Sequence, residues 1–327
     1  MPAGRPTIAE IDLDAVVANF RLARSRAGAG CQVLAVVKAD AYGHGAARVA
    51  PALEAAGADF FGVALAEEGV ALREAGVRRP ILILGGTYPG QEEDLLRHEL
   101  TPTLIDLETA RRLAAHFRAA GRRCRCHLKL DTGMGRVGFR PAELDAVLEV
   151  LSDLPEIEIE GVFSHLAFAD EPENPFTDEQ VRRFSGALDR IRAAGLRPRY
   201  VHLGNSAALF TRELPECNLV RPGIVLYGAL PSEYFAGRLD LHPVMSLRSR
   251  IAHLKRVPAG TVCMDWTLFD VTGVPGVAVG DPITLLGADG DDAVSAEEWA
   301  QRIGTIPYEV LCAISKRVPR RYRGEGM

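Results

Sequence analysis

Short apolar runs alternate with amphipathic stretches through the first two thirds of the chain. Strand-like runs fall at 32–37, 60–65, 81–84, 101–105, 124–130, 157–163, 200–203 and 219–226. Helix-period patterns lie between them, for example at 107–120, 141–154 and 177–194. The 107–120 stretch is rich in alanine and arginine and stops at Gly121. Strand–helix alternation of this kind predicts parallel strands joined by crossover helices. Eight such strands point to a closed (β/α)8 barrel of the TIM type, with a doubly wound open sheet as the competing arrangement. Beyond about residue 230 the texture changes. Residues 247–257 alternate apolar and polar with period two, as a half-exposed antiparallel strand does. Short β runs punctuated by Gly and Pro come next, then a helix opened by Ser295 and Glu298 in a capping-box pattern. The expected organisation is a barrel over 1–234 and a smaller, mostly β domain over 235–327, α/β in class.

Composition narrows the function. At 327 residues, 47% hydrophobic and 25% charged, the chain has the make-up of an ordinary globular protein. A net charge of −5 gives no reason to expect nucleic acid or a membrane surface as partner. No apolar run approaches the ~18 residues of a membrane span, and the stretch around Arg5 and Pro6 lacks the apolar core of a signal peptide. The six cysteines are scattered. Only Cys124 and Cys126 are close, at a spacing that fits one face of a strand and no metal site. A reducing cytoplasm is the simplest setting.

Lys38 carries the sharpest chemical signal. It ends the buried run Val33–Val37, where an ammonium is costly unless paired, depressed in pKa or used covalently. Such a lysine can form a Schiff base and move protons; the plainer alternative is a lysine that snorkels out of a strand end. Tyr42 lies four residues on, placed to offer a hydroxyl to whatever Lys38 holds. Gly133–Gly138 fits G-x-G-x-x-G, but Phe139, Arg140 and Pro141 separate it from the next helix, which argues against a dinucleotide turn. In a barrel this loop lies at the C-terminal mouth, with Lys129 and Asp131 on one face of the preceding strand and Arg136 just beyond. His165 ends the next strand, Asn205 and Ser206 the seventh, and Arg221, Gly223 and Ile224 lie in the eighth. Barrels commonly hold phosphate on the loops after strands seven and eight. A lysine at strand one and a phosphate seat there point together to pyridoxal phosphate.

Several long segments resemble the bacterial alanine racemases: Val-Val-Lys-Ala-Asp-Ala-Tyr-Gly-His-Gly (36–45), His-Leu-Lys-Leu-Asp-Thr-Gly-Met-Gly-Arg-Val-Gly-Phe (127–139), Gly-Asn-Ser (204–206), Arg-Pro-Gly-Ile-Val-Leu-Tyr-Gly (221–228), Cys-Met-Asp (263–265), Pro-Tyr-Glu (307–309) and Arg-Val-Pro-Arg (317–320). The resemblance covers almost the whole chain and implies a pyridoxal-phosphate barrel followed by a β domain. It implies that Lys38 carries the cofactor and acts as one base for alanine interconversion, supplying D-alanine for peptidoglycan. Tyr42, Ser206, Gly223, Ile224 and Tyr308 would hold the phosphate, with Asn205 in the same motif. Arg136 would serve the phenolic oxygen and the substrate carboxylate, and Arg221 the pyridine nitrogen with His165 behind it. An arginine there keeps its proton, so the ring stays a moderate electron sink. Lys129 is carbamylated in related enzymes, which would let it pair with Arg136. The backbone at Met264 of a second subunit would help seat the substrate in a homodimer.

One departure stands out. The family's second base is a tyrosine in a Gly-Tyr-x-Asp-Gly segment of the β domain, and that segment is absent. Residues 257–260 resemble its upstream flank and, with only Thr261 between, are followed by residues 262–265, which resemble its downstream flank. The resemblance therefore implies that a few dozen family residues have no counterpart here, near Gly260 and Thr261. Three readings stay open from sequence: an alanine racemase; a pyridoxal-phosphate protein impaired in racemisation or acting on another amino acid; and, disfavoured, a nicotinamide-dependent oxidoreductase.

Overall fold

The strand after the first helix, Gln32–Val36, is buried on both faces, which is why it reads as an unbroken apolar run. The computed structural model describes residues 6–257, 263 and 265–324. In chain order the strands are β1 (Ile8–Asp12), β2 (Gln32–Val36), β3 (Phe60–Val63), β4 (Ile81–Ile83), β5 (Thr103–Leu104), β6 (Cys124–Lys129), β7 (Ile157–Phe163), β8 (Tyr200–His202), β9 (Leu219–Val220), β10 (Met245–Arg250), β11 (Pro282–Asp289), β12 (Asp292–Val294) and β13 (Arg320–Arg323).

Strands β2 to β9 form the barrel. Parallel ladders run β9–β2–β3–β4 and β5–β6–β7–β8. Single parallel bridges, Leu82–Thr101 and Asn205–Arg221, join the two halves. The β9–β2 ladder returns the last strand to the first, so the sheet is closed and the open-sheet arrangement is excluded. Helices cover the outside between strands. Leu107–Ala119 starts on Asp106, whose carboxylate accepts from Thr109 N at 2.7 Å, and is followed by Gly121 in the left-handed region.

Three local expectations need correction. The eighth barrel strand stops at Val220, because Pro222 lacks an amide donor and the chain turns into a 3₁₀ segment, Ile224–Tyr227. The period-two stretch at 247–257 is a strand only to Arg250. The N-terminal strand β1 does not belong to the barrel. It lies between β10, antiparallel, and β13, parallel, in a five-stranded sheet ordered β12-β11-β10-β1-β13. The residues around Gly260 and Thr261, and Met264, lie outside the described residues.

Candidate active site

In a closed parallel barrel all strand C-termini meet at one mouth. Here that mouth brings together Lys38 after β2, Lys129 and Asp131 at the end of β6, His165 after β7, Asn205 and Ser206 after β8, and Arg221 after β9. Lys38 opens onto a cleft of about 620 Å³, also lined by Tyr42, Ile306, Tyr308 and Cys312. Its ammonium is held below its usual pKa by burial first and then by the charge of Arg136, with Glu68 opposing.

The segment after Lys38 is conformationally unusual. Ala39, Asp40, Ala41 and Tyr42 all sit in the left-handed region, at φ of 53°, 55°, 55° and 52°. Each non-glycine residue there costs about 1–2 kcal/mol, so the turn exists only because its surroundings hold it. Asp40 Oδ1 accepts from Ala46 N at 2.8 Å. The His44 ring faces two carbonyls, Ala41 O at 2.9 Å and Tyr42 O at 3.0 Å, so its Nδ1 must carry the proton. Burial pushes the His44 pKa down to about 4. The turn swings Tyr42 inward against Tyr227, with ring centroids 4.8 Å apart, and towards Tyr308 at 6.0 Å.

Tyr42 then meets the ends of β8 and β9. Gly223 N donates to Ser206 Oγ at 2.8 Å, and a Cβ on Gly223 would lie 2.7 Å from Tyr42 Oη. Two hydroxyls and a backbone that only glycine permits therefore converge, with Ile224 next in the chain and Tyr308 alongside. Asn205 has a structural task within this group: its Oδ1 accepts from Ala208 N at 3.0 Å and caps the helix Ser206–Thr211.

Arg221 is buried at the centre of the mouth. It donates to Ser164 O at 2.8 Å, Leu203 O at 3.2 Å, His202 Nδ1 at 3.1 Å and His165 Nδ1 at 3.3 Å. Burial lowers its pKa to about 10, which leaves it charged at neutral pH. A guanidinium only donates, so it fixes the tautomers behind it. His202 accepts at Nδ1, carries its proton on Nε2, and gives it to His127 Nδ1 at 2.8 Å. His127 Nε2 then faces Glu160 Oε1 at 3.7 Å. His127 occupies the space a side chain on Gly161 would need, since a Cβ there would lie 2.5 Å from the ring. His127, His202, Ser164 and Tyr227 were not picked out from sequence as site residues. The available signal was period two: His127 shares the inward face of β6 with Lys129.

Lys129 is buried, its Nζ 4.6 Å from the Phe163 ring centroid. Burial, then Arg221 and Arg136, hold its pKa well below the usual ammonium range. Arg136 is exposed in the following loop. The glycine run there is no dinucleotide turn: Gly133 N and Gly135 N both donate to Asp131 Oδ1 at 3.0 Å, and the next helix begins only after the 3₁₀ turn Pro141–Glu143. Lys38, Lys129, Arg136 and Arg221 thus crowd one mouth with no carboxylate ion pair to any of them among the described residues. That charge, beside the Tyr42–Ser206–Gly223 seat, fits an anionic, phosphate-bearing cofactor.

A closed barrel with a lysine at the end of its first strand, a cluster of hydroxyls and glycine backbone at its last two, and an appended β sheet places the chain among two-part barrel proteins with a basic mouth. Residues 11–231 match the family described as alanine racemase, N-terminal domain, and residues 252–322 match alanine racemase, C-terminal domain. This chain belongs to the alanine racemase family. It is 46% identical to the alanine racemase of Geobacter sulfurreducens, with 97% of each chain covered, and 38% identical to that of Halothermothrix orenii, with 98% of each covered. The first of these alignments runs over 371 positions, more than the 327 residues present here, so the relative holds residues with no counterpart in this chain. Among solved structures, alanine racemase from Bacillus anthracis with bound L-Ala-P superimposes at a TM-score of 0.90 with 31% identity, covering 100% of this chain and 97% of that one. The enzyme from Clostridium difficile 630 in complex with cycloserine gives 0.85 with 34% identity, covering 98% and 96%. Family membership disposes of the oxidoreductase reading.

Proposed function

We propose that the chain interconverts L- and D-alanine using pyridoxal phosphate carried on Lys38. The observation that carries this reading is the delivery of Lys38, depressed in pKa, into a mouth of cations beside the Tyr42–Ser206–Gly223 seat. Tyr42, Ser206, Tyr308 and the backbone at Gly223 and Ile224 would hold the phosphate, and Arg221, backed by His165, would donate to the ring nitrogen. Arg136 would neutralise the phenolic oxygen and the substrate carboxylate. The cofactor, when bound, supplies a π-system that delocalises the negative charge left at Cα. Lys38 moves the proton: its lowered pKa lets a neutral amine exist nearer to neutral pH, as a general base requires. Lys129, as a carbamate, would give Arg136 its anionic partner.

The same reading puts the protein in the cytoplasm, supplying D-alanine for peptidoglycan, as a homodimer in which Met264 of one subunit completes the other's site. Among the described residues no helix is long and apolar enough to cross a membrane. The exposed Trp266, Leu268 and Phe269, just after Met264 in sequence, support a covering partner there. Borohydride reduction with pyridoxal phosphate followed by peptide mapping should put the adduct on Lys38. An adduct on another lysine, or none, refutes the assignment.

A further inference from the structure

Two of the supports of the left-handed turn, Asp40 and His44, are local to it. The third comes from a different element. Glu68 is the third residue of the helix Ala66–Glu74, which comes after β3. Its Oε1 accepts from Ala39 N at 2.6 Å, while its Oε2 accepts from Ala64 N at 2.7 Å and Leu65 N at 3.2 Å. Capping its own helix would need only the bond to Leu65. The bond to Ala39, 29 residues away in sequence, has no part in that task. It grips the first left-handed residue, the one directly after Lys38. All three partners are donors and they use both oxygens, so a carboxylate fits and an amide would turn its NH₂ towards backbone N–H groups.

We propose that Glu68 is the positioning residue that ties the left-handed turn to the end of β3 and so fixes where β2 delivers Lys38. The proposal concerns the backbone of this chain; only its second measurement rests on the reading of Lys38 as the cofactor's lysine. Without the Glu68 clamp, Ala39 relaxes towards negative φ, and Lys38 and Tyr42 lose their fixed relation.

Amide exchange of the cofactor-free protein, followed by mass spectrometry, tests this directly. In Glu68→Gln, peptides spanning 36–45 should exchange roughly 10- to 100-fold faster, the worth of a charge-assisted hydrogen bond, while peptides from β6 and β7 stay as in the wild type. Glu67→Gln, one residue earlier and exposed, should change neither. Adding Ala39→Gly to Glu68→Gln should restore protection, because glycine takes positive φ without steric cost. Unchanged exchange at 36–45, equal acceleration across the barrel, or failure of Ala39→Gly to restore protection overturns the proposal. If Glu68→Gln does not fold, recovery of the fold by Ala39→Gly supports it and continued failure overturns it. As the second measurement, borohydride trapping of pyridoxal phosphate on Lys38 should slow in Glu68→Gln and recover with Ala39→Gly. Absence of any Lys38 adduct in the wild type counts against the cofactor assignment, and the exchange measurement then decides the role of Glu68.

Discussion

Gly223→Ala probes the proposed phosphate seat with a single methyl group. The φ of Gly223 is −125°, so left-handed strain is not at issue and the cost is steric. The new Cβ would lie 2.7 Å from Tyr42 Oη, 3.4 Å from Tyr42 Cζ and 3.6 Å from Val36 Cβ. Only the hydroxyl is too close, and it must give by several tenths of an ångström. Tyr42 has little room: Tyr227 packs against its ring and the left-handed turn fixes its backbone. Overpacking of a tight site costs about 1–3 kcal/mol. Because Tyr42 and Gly223 both face the bound phosphate in the proposed function, that cost should appear as a loss of roughly 5- to 150-fold in pyridoxal-phosphate affinity. Titration followed by the absorbance of the lysine adduct measures it. In a Tyr42→Phe background the offending oxygen is gone, so Gly223→Ala should cost markedly less there, a non-additivity expected of groups in contact. Unchanged affinity in Gly223→Ala, or strictly additive effects in the double variant, would refute the reasoning.

Three further outcomes are expected. If the family's second base lies in the Gly-Tyr-x-Asp-Gly segment that this sequence lacks, D-alanine should exchange its Cα hydrogen in deuterium oxide with retained configuration, ahead of forming L-alanine, and racemisation should run ~10²–10⁴-fold below that of a relative holding the segment; fast symmetric interconversion by a protein of confirmed 327-residue mass would show that another group serves the second face. High-resolution density should extend beyond Nζ of Lys129 as a carbamate, and an unmodified amine with a separate anion between it and Arg136 would contradict that. His44 stays neutral in the fold down to about pH 4 while the unfolded chain protonates near 6.5, so the unfolded state binds more protons between these values. Stability should therefore fall as the pH is lowered from about 6.5 to about 4, by up to ~3 kcal/mol from this residue, and urea midpoints at pH 7 and 5 should differ less in His44→Asn than in the wild type.

The barrel was legible in sequence because its strands are buried on both faces and the helices between them are amphipathic. Those patterns are local. What escaped was set by distant contacts. Ile8–Asp12 reveals nothing of its partners, yet Ala9 pairs with Leu247 on one side and Arg320 on the other. Nothing in residues 39–42 announces the turn, since local propensity gives no reason for four non-glycine residues to turn left-handed. The reason lies in Glu68 and His44. Motifs quoted from the chain located Lys38, Tyr42, Ser206, Arg221 and Gly223, which the fold brings to one mouth. His202 and His127, which extend the hydrogen-bonded chain behind Arg221, sit in short buried strands where any histidine reads as core.

The carboxylates nearest the mouth explain why it is poised for an anion. Asp131 would be the natural counter-ion for Arg136 or Lys129, but its Oδ1 accepts from Gly133 N and Gly135 N and shapes the loop instead. Glu68 is the carboxylate that raises the Lys38 pKa, yet both its oxygens are taken by backbone amides. Glu160 stands behind His127, two imidazoles away from Arg221. Each of these carboxylates is thus committed to holding the scaffold, and none of them is left to pair with the basic side chains at the mouth. Unpaired charge in a partly buried site is unfavourable for folding, as the lowered pKa values of Lys38 and Lys129 register. In the proposed function a phosphate and a substrate carboxylate would relieve that repulsion on binding. In the proposed function the arrangement therefore trades stability of the empty barrel for affinity towards a phosphate-bearing cofactor and the carboxylate of an amino acid, which is the electrostatic logic that reading requires.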